Sequence, residues 1–250
     1  YKPMSRRFDT RTNLFNPNGR INQIEYALKA IKNSGPALAL HYNNGIVIAT
    51  EKRTSSSLLL PPKHGEKLFR IDDHVYVLVS GLTADANYLI EFLRKKSQDY
   101  KYTFGSNLPI EQLVEAICNL KQSYTQFGGM RPFGTSFIFI GWDHHYGFQV
   151  YTSDPSGNMA SWRAIAQGSN EENSNNLLQD NFEENMDVEK AKELGMRVIM
   201  QTMDTNTPET GRLVLGVLTK EEGKEHVNFE FIDDREKDVL IKLVNEKNKE

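Results

Sequence analysis

The chain has 250 residues, 38% of them hydrophobic and 25% charged, with a formal net charge of −3. That is room for one large domain or two small ones with a sizeable core, and the scattered Lys and Arg residues leave no basic footprint for nucleic acid. No apolar run approaches the roughly 20 residues that cross a bilayer, the first residues lack a signal-peptide core, and the single cysteine, Cys118, excludes an intrachain disulfide and fits a reducing compartment.

Residues 1–14 are polar and basic, without a hydrophobic period, and read as a flexible arm. Asn16-Pro17-Asn18-Gly19 is a turn, because Pro fixes φ and Asn or Gly accepts positive φ. Ile21, Ile24, Leu28 and Ile31 recur at spacings of three and four and predict a helix from about Arg20 to Asn33. Ser34-Gly35-Pro36 stops it. Strands are predicted over Ala37–Tyr42 and Ile46–Thr50, joined by the tight-turn residues Asn43-Asn44-Gly45. Two more follow near Lys67–Ile71 and Val75–Ser80, with Asp72-Asp73-His74 as the turn between them. Thr83 is placed to cap a helix that runs to about Tyr100. A second helix starts near Leu108 with Pro109 in its first turn, carrying Ile110, Leu113, Ile117, Leu120 and Tyr124 inward. Cys118 lies inside that helix and reads as a small core or interface residue rather than a nucleophile.

Strands resume at Thr135–Gly141, Phe148–Thr152 and Trp162–Gln167, with turn chemistry in Asp154-Pro155-Ser156-Gly157-Asn158. His144-His145 reads as a solvated hairpin tip and not a metal pair, since neighbours on a strand point to opposite faces. Helices are predicted over Glu171–Asn181 and Val188–Met203, the second capped by Asp187. Asn170, Asn173, Asn175 and Asn176 read as a polar helix face. Strands at Leu213–Leu218 and Val227–Ile232 precede a charged helix from about Glu236. Strands and helices in segregated blocks argue for an α+β fold, two antiparallel sheets with a helix pair outside each. The division expected is an arm and helix over 1–34, a sandwich over 35–232, and a charged tail over 233–250.

Four stretches, in order, carry a resemblance that covers roughly residues 5–235. They are Phe15-Asn16-Pro17-Asn18-Gly19-Arg20 with the following Gln23-Ile24-Glu25-Tyr26-Ala27; Ser80-Gly81-Leu82-Thr83-Ala84-Asp85-Ala86; Tyr124-Thr125-Gln126-Phe127-Gly128-Gly129-Met130-Arg131-Pro132-Phe133-Gly134; and Ser153-Asp154-Pro155-Ser156-Gly157. Together they resemble the signatures of α-type subunits of the 20S proteasome, and residues 140–149 are most similar to one eukaryotic member, third in ring order. The resemblance implies the four-layer αββα sandwich of N-terminal-nucleophile hydrolases. It implies a place in a ring of seven different α subunits, stacked on a ring of β subunits. Regulatory ATPase particles and other activators are implied as partners and protein substrates in transit as cargo, in cytoplasm and nucleus. No cofactor, metal, nucleic acid or membrane is called for.

Proteasome β-type subunits share that fold and cut peptides with an N-terminal threonine whose own α-amine acts as base. The corresponding junction here is Gly35-Pro36; proline has no hydroxyl, and an arm and helix precede it. Glu51 and Lys67 stand near the places of the catalytic Asp and Lys, as echoes of common descent. The reading is a non-catalytic scaffold and gate, with an active N-terminal-nucleophile peptidase or amidohydrolase as the alternative that Pro36 disfavours, and a free-standing binding domain as a third. The family's gating positions fall on Phe8, Asp9, Pro17 and Tyr26, with Phe8 in place of the usual Tyr and Thr10 in place of the commoner Arg. Lys67, Gly81 and Leu82 match the pocket that holds activator C-terminal tails, and Glu25 is a candidate rim contact. Against these stand ordinary readings: a solvated lysine, and surface residues of an amphipathic helix.

Overall fold

The computed structural model describes residues 13–52, 58, 67–203, 210–221, 223–224 and 226–247. Phe8 and Asp9 lie outside them. In chain order the elements are α1 (Asn22–Lys32), β1 (Ala37–Tyr42), β2 (Gly45–Glu51), β3 (Leu68–Asp72), β4 (Val75–Gly81), α2 (Thr83–Phe104) and α3 (Ile110–Gln126). Then come β5 (Thr135–Asp143), β6 (Gly147–Ser153), β7 (Met159–Trp162), β8 (Ala164–Gln167), α4 (Glu171–Asn181), α5 (Val188–Thr202), β9 (Leu213–Lys220), β10 (Val227–Phe231) and α6 (Asp234–Lys247).

Among the described residues two five-stranded sheets form, in the orders β10-β9-β2-β1-β8 and β3-β4-β5-β6-β7; the pairs within each are antiparallel. The central strands are near-continuous apolar runs because both faces of each sheet are covered. Alternate residues sort into different layers, as the two-residue period of a strand requires. In β2, Val47 and Ala49 face the helices α4, α5 and α6, whereas Ile46 and Ile48 face the other sheet. In β5, Phe137 and Phe139 pack under α2 and α3, and Ile138 and Ile140 fill the inter-sheet layer with Leu78, Val150 and Leu218. Each fully buried side chain of this size stabilises the fold by about 1.5–3 kcal/mol, so the middle layer locks the two halves together. The result is the four-layer αββα sandwich expected from the block order. Helix α6 buries Leu240 and Val244 in the same core as α5 and β9.

Three local expectations change. The strand expected over Trp162–Gln167 is two strands in different sheets: Trp162 pairs with Val150, whereas Ala164 pairs with Leu40. The chain crosses between sheets at Arg163, whose carbonyl accepts the His41 amide at 2.8 Å. A short apolar run cannot reveal which sheet it joins. Thr83 does not cap α2; Leu82 holds the N-cap position without a side-chain bond. Asn175 is not simply on a solvated face, because its amide bonds both the N–H and the carbonyl of Ala166, at 2.8 and 3.1 Å. Elsewhere Asp187 caps α5 through the Lys190 amide at 2.8 Å, as expected.

Candidate functional site

The position of the family's nucleophile is filled by buried backbone. Gly35 and Pro36 are both buried, and α1 precedes them in the same chain. The Pro36 carbonyl accepts Thr50 Oγ1 at 3.0 Å and the Glu51 amide at 3.1 Å. The Ser34 carbonyl accepts the Ser169 amide at 2.8 Å. Glu51 is 2% exposed, and its carboxylate takes Arg212 Nη2 at 2.6 Å. Lys67 Nζ donates to the Gly35 carbonyl at 2.7 Å. The junction itself is a tertiary amide that offers neither a hydroxyl nor a free amine. Cys118 is no substitute, since burial pushes its thiol up to about 11.

Lys67, Gly81 and Leu82, the residues expected to hold a tail, lie near the place where α1 ends and α2 begins. Lys67 precedes β3 and its carbonyl accepts the Val79 amide at 2.8 Å, which places it beside the end of β4. Gly81 ends that strand with φ +110°, and a side chain there would come within 2.1 Å of the Gly134 carbonyl and 3.1 Å of Ile31. Only glycine lets α1, β4 and the loop before β5 meet so closely. Leu82 follows; its amide bonds the Gly134 carbonyl at 2.9 Å while its side chain stays half exposed. An ammonium, backbone at the head of a helix and an apolar wall make a corner suited to a peptide carboxylate.

Sequence reasoning missed what fixes this corner. Asp85 receives Arg131 through two bonds of 2.6 and 2.7 Å and the Gly134 amide at 2.9 Å. The second and third signature stretches are thus one structural unit, a link open to view in the opposite charges of the two motifs. The Arg131 guanidinium holds the Asp85 carboxyl below the usual carboxylate range, against the opposing effect of burial. Phe133, between them, packs against Tyr124 and Tyr88, with ring centroids 4.5 and 5.9 Å away.

At the other end of α1, Asn16 builds the turn. Its Oδ1 accepts the Asn18 and Arg20 amides, each at 3.0 Å, and its Nδ2 donates to Asn22 Oδ1 at 2.8 Å. Gly19 closes the turn at φ +73°, and Pro17 is displayed to solvent. Asn13 Nδ2 bonds the Gln126 carbonyl at 3.2 Å, tethering the base of the arm to the end of α3. Tyr26 is 51% exposed. Glu25 sits in the first turn of α1, opposite Arg20 at 3.5 Å, and so lies at the far end of that helix from Gly35 and Lys67.

The comparisons with known proteins follow the same outline. The proteasome-subunit family model matches residues 31–218, and a second model, the N-terminal signature of A-type proteasome subunits, matches residues 8–30. The chain belongs to the proteasome subunit family, as an α-type member. It is 45% identical over 212 residues to the alpha type-4-A proteasome subunit of Arabidopsis thaliana, covering 85% of each chain. It is 42% identical over 241 residues to the alpha type-4 proteasome subunit of Dictyostelium discoideum, covering 96% of each. The spinach (Spinacia oleracea) alpha type-4 protein is 44% identical over 212 residues, with 85% of each covered. These relatives are all alpha type-4 subunits. The α type is the non-catalytic, structural and gating component of the 20S core, and the buried Gly35-Pro36 junction is the physical form of that assignment here.

Proposed function

We propose that this subunit controls entry to the proteolytic chamber by two devices at opposite ends of α1: an arm that helps close the ring axis, and a corner that receives the carboxylate tail of an activator. What supports the reading is that Lys67 holds the Gly35 carbonyl just past α1, while Gly81 packs against Ile31 of α1 and Leu82 bonds Gly134, a segment fixed by Asp85 and Arg131. An incoming carboxylate pairs with the Lys67 ammonium, and the half-exposed Leu82 contacts the tail's side chains. An exposed ion pair contributes only about 0–1 kcal/mol, so stable docking takes several tails on one ring. A tail bound at the corner pulls on the end of α1, whose other end carries the Pro17 turn and the arm. Phe8 offers Pro17 a ring to pack on but has no hydroxyl to donate, so Asp9 and Tyr26 carry the polar part of the open arrangement. The partners are neighbouring α subunits, the β ring and activators that include the regulatory ATPase particle, in cytoplasm and nucleus.

The test is Lys67→Ala in assembled particles. Ring assembly and basal peptide hydrolysis stay as in the wild type, while activator-stimulated hydrolysis falls severalfold. Undiminished stimulation would remove the corner from the account.

A further inference from the structure

We propose that Lys121 is a buried positioning residue for the docking corner, tying the start of β5 and the end of β6 to α3 through one ammonium group. The inference rests on the docking reading above. Lys121 is 0% exposed, among the largest fully buried side chains of the described residues. Its Nζ donates to the Thr135 carbonyl at 3.1 Å, to Ser153 Oγ at 2.9 Å and to the Ser153 carbonyl at 3.4 Å, and stands 4.7 Å from the centroid of the Phe137 ring. These acceptors lie where the β5–β6 ladder ends, at the Phe137–Ser153 pair. Beyond that pair the two strands part into the loop leading to Arg131 and the Asp154–Asn158 turn. The ammonium bridges them where no further rung does.

The connection to the corner is short. Thr135 pairs with Gly81 across β4 and β5. Gly134 and Thr135 are consecutive: the first carbonyl accepts the Leu82 amide, the second accepts Lys121. Asp85 grips the same segment from the other side through the Gly134 amide. An apolar side chain of equal length would fill this volume without the cost of burying a charge. It would leave two carbonyls and a hydroxyl without this donor. What the lysine adds is a fixed height for Gly81 and Leu82.

The geometry also makes the corner proton-sensitive. Burial lowers the Lys121 ammonium to about 8, opposed by the Asp154 carboxylate after β6; the Cys118 thiol on α3, pushed up to about 11, stays neutral beside it. Strands β5 and β6 face it with Thr135, Phe137 and Ser153. As pH rises through that value, the charge-assisted bonds weaken to neutral ones.

The experiment compares assembled particles that differ only in this chain, using an N-acetylated peptide with a free C-terminal carboxylate and a photo-crosslinking group, and reads binding as the crosslinked fraction of this chain alone, by mass. Between pH 7 and 9 the wild-type particle binds it roughly fivefold more weakly, because the competent corner is less populated. Lys121→Met at pH 7 shows a similar loss and no further change with pH. A Met variant that binds as the wild type does, with the same pH profile, overturns the inference. If that variant fails to assemble, the wild-type profile alone decides, and a flat one overturns it. Lys67→Ala separates the two claims: binding that survives it shows that the docking reading itself has failed, and the role of Lys121 falls with it. Binding lost in Lys67→Ala but intact in Lys121→Met refutes the positioning role alone.

Discussion

Asp85 shows how much one carboxylate decides here. Its two oxygens take a guanidinium and a backbone amide, and its side chain is only 10% exposed. Its folded titration lies below the ordinary carboxylate value, with the Arg131 bonds as the largest cause. Stability from such a group is complete above the unfolded pKa, near 4, and is lost as pH falls through the lower folded value. Asp85→Asn keeps the shape but loses the charge-assisted pair. It should cost about 1–2 kcal/mol at pH 7 and flatten the acid limb of thermal melts of the full chain below about pH 4. Asp72 and Asp143 also titrate low and keep the variant acid-sensitive. An unchanged melting temperature at pH 7 would mean that the Arg131 contact is idle.

At the scale of elements, β8 is a sheet edge, and an open edge invites pairing with other chains. Asn175 occupies it by imitating a strand, giving one acceptor and one donor to Ala166. Asn175→Ala should destabilise the chain by about 1–2 kcal/mol and raise self-association in light scattering; a variant that is neither less stable nor more prone to associate would deny Asn175 this role. In sequence Asn175 reads only as part of a polar helix face, because helical period says which face a residue lies on and not which backbone meets it. Lys121 went unread for a related reason, since a lysine is an unusual core residue, and the split at Arg163 hides in one apolar run that serves two sheets. What was legible was local. Asn43-Asn44 makes the tight turn between β1 and β2, Asp187 caps α5, and the Asp154 loop closes through its own carboxylate onto the Ser156 and Asn158 amides. Lys67, Gly81 and Leu82 were singled out only through the family's motifs; their placement near the end of α1 depends on long-range strand pairing.

The whole molecule is a nucleophile-hydrolase sandwich whose reactive position has been built over. β1 and β2 are intact, Glu51 is held by Arg212, Lys67 holds the Gly35 carbonyl, and Gly35-Pro36 runs on as buried interior chain. With electrostatic helpers but no hydroxyl, the fold supplies no covalent route, and its work passes to its surfaces and ends. Assembled particles treated with a covalent inhibitor that captures N-terminal threonines, followed by intact-mass measurement of every subunit, test this most directly. The account predicts that this chain keeps its mass while members of the β ring gain the inhibitor. An adduct on this chain would contradict it.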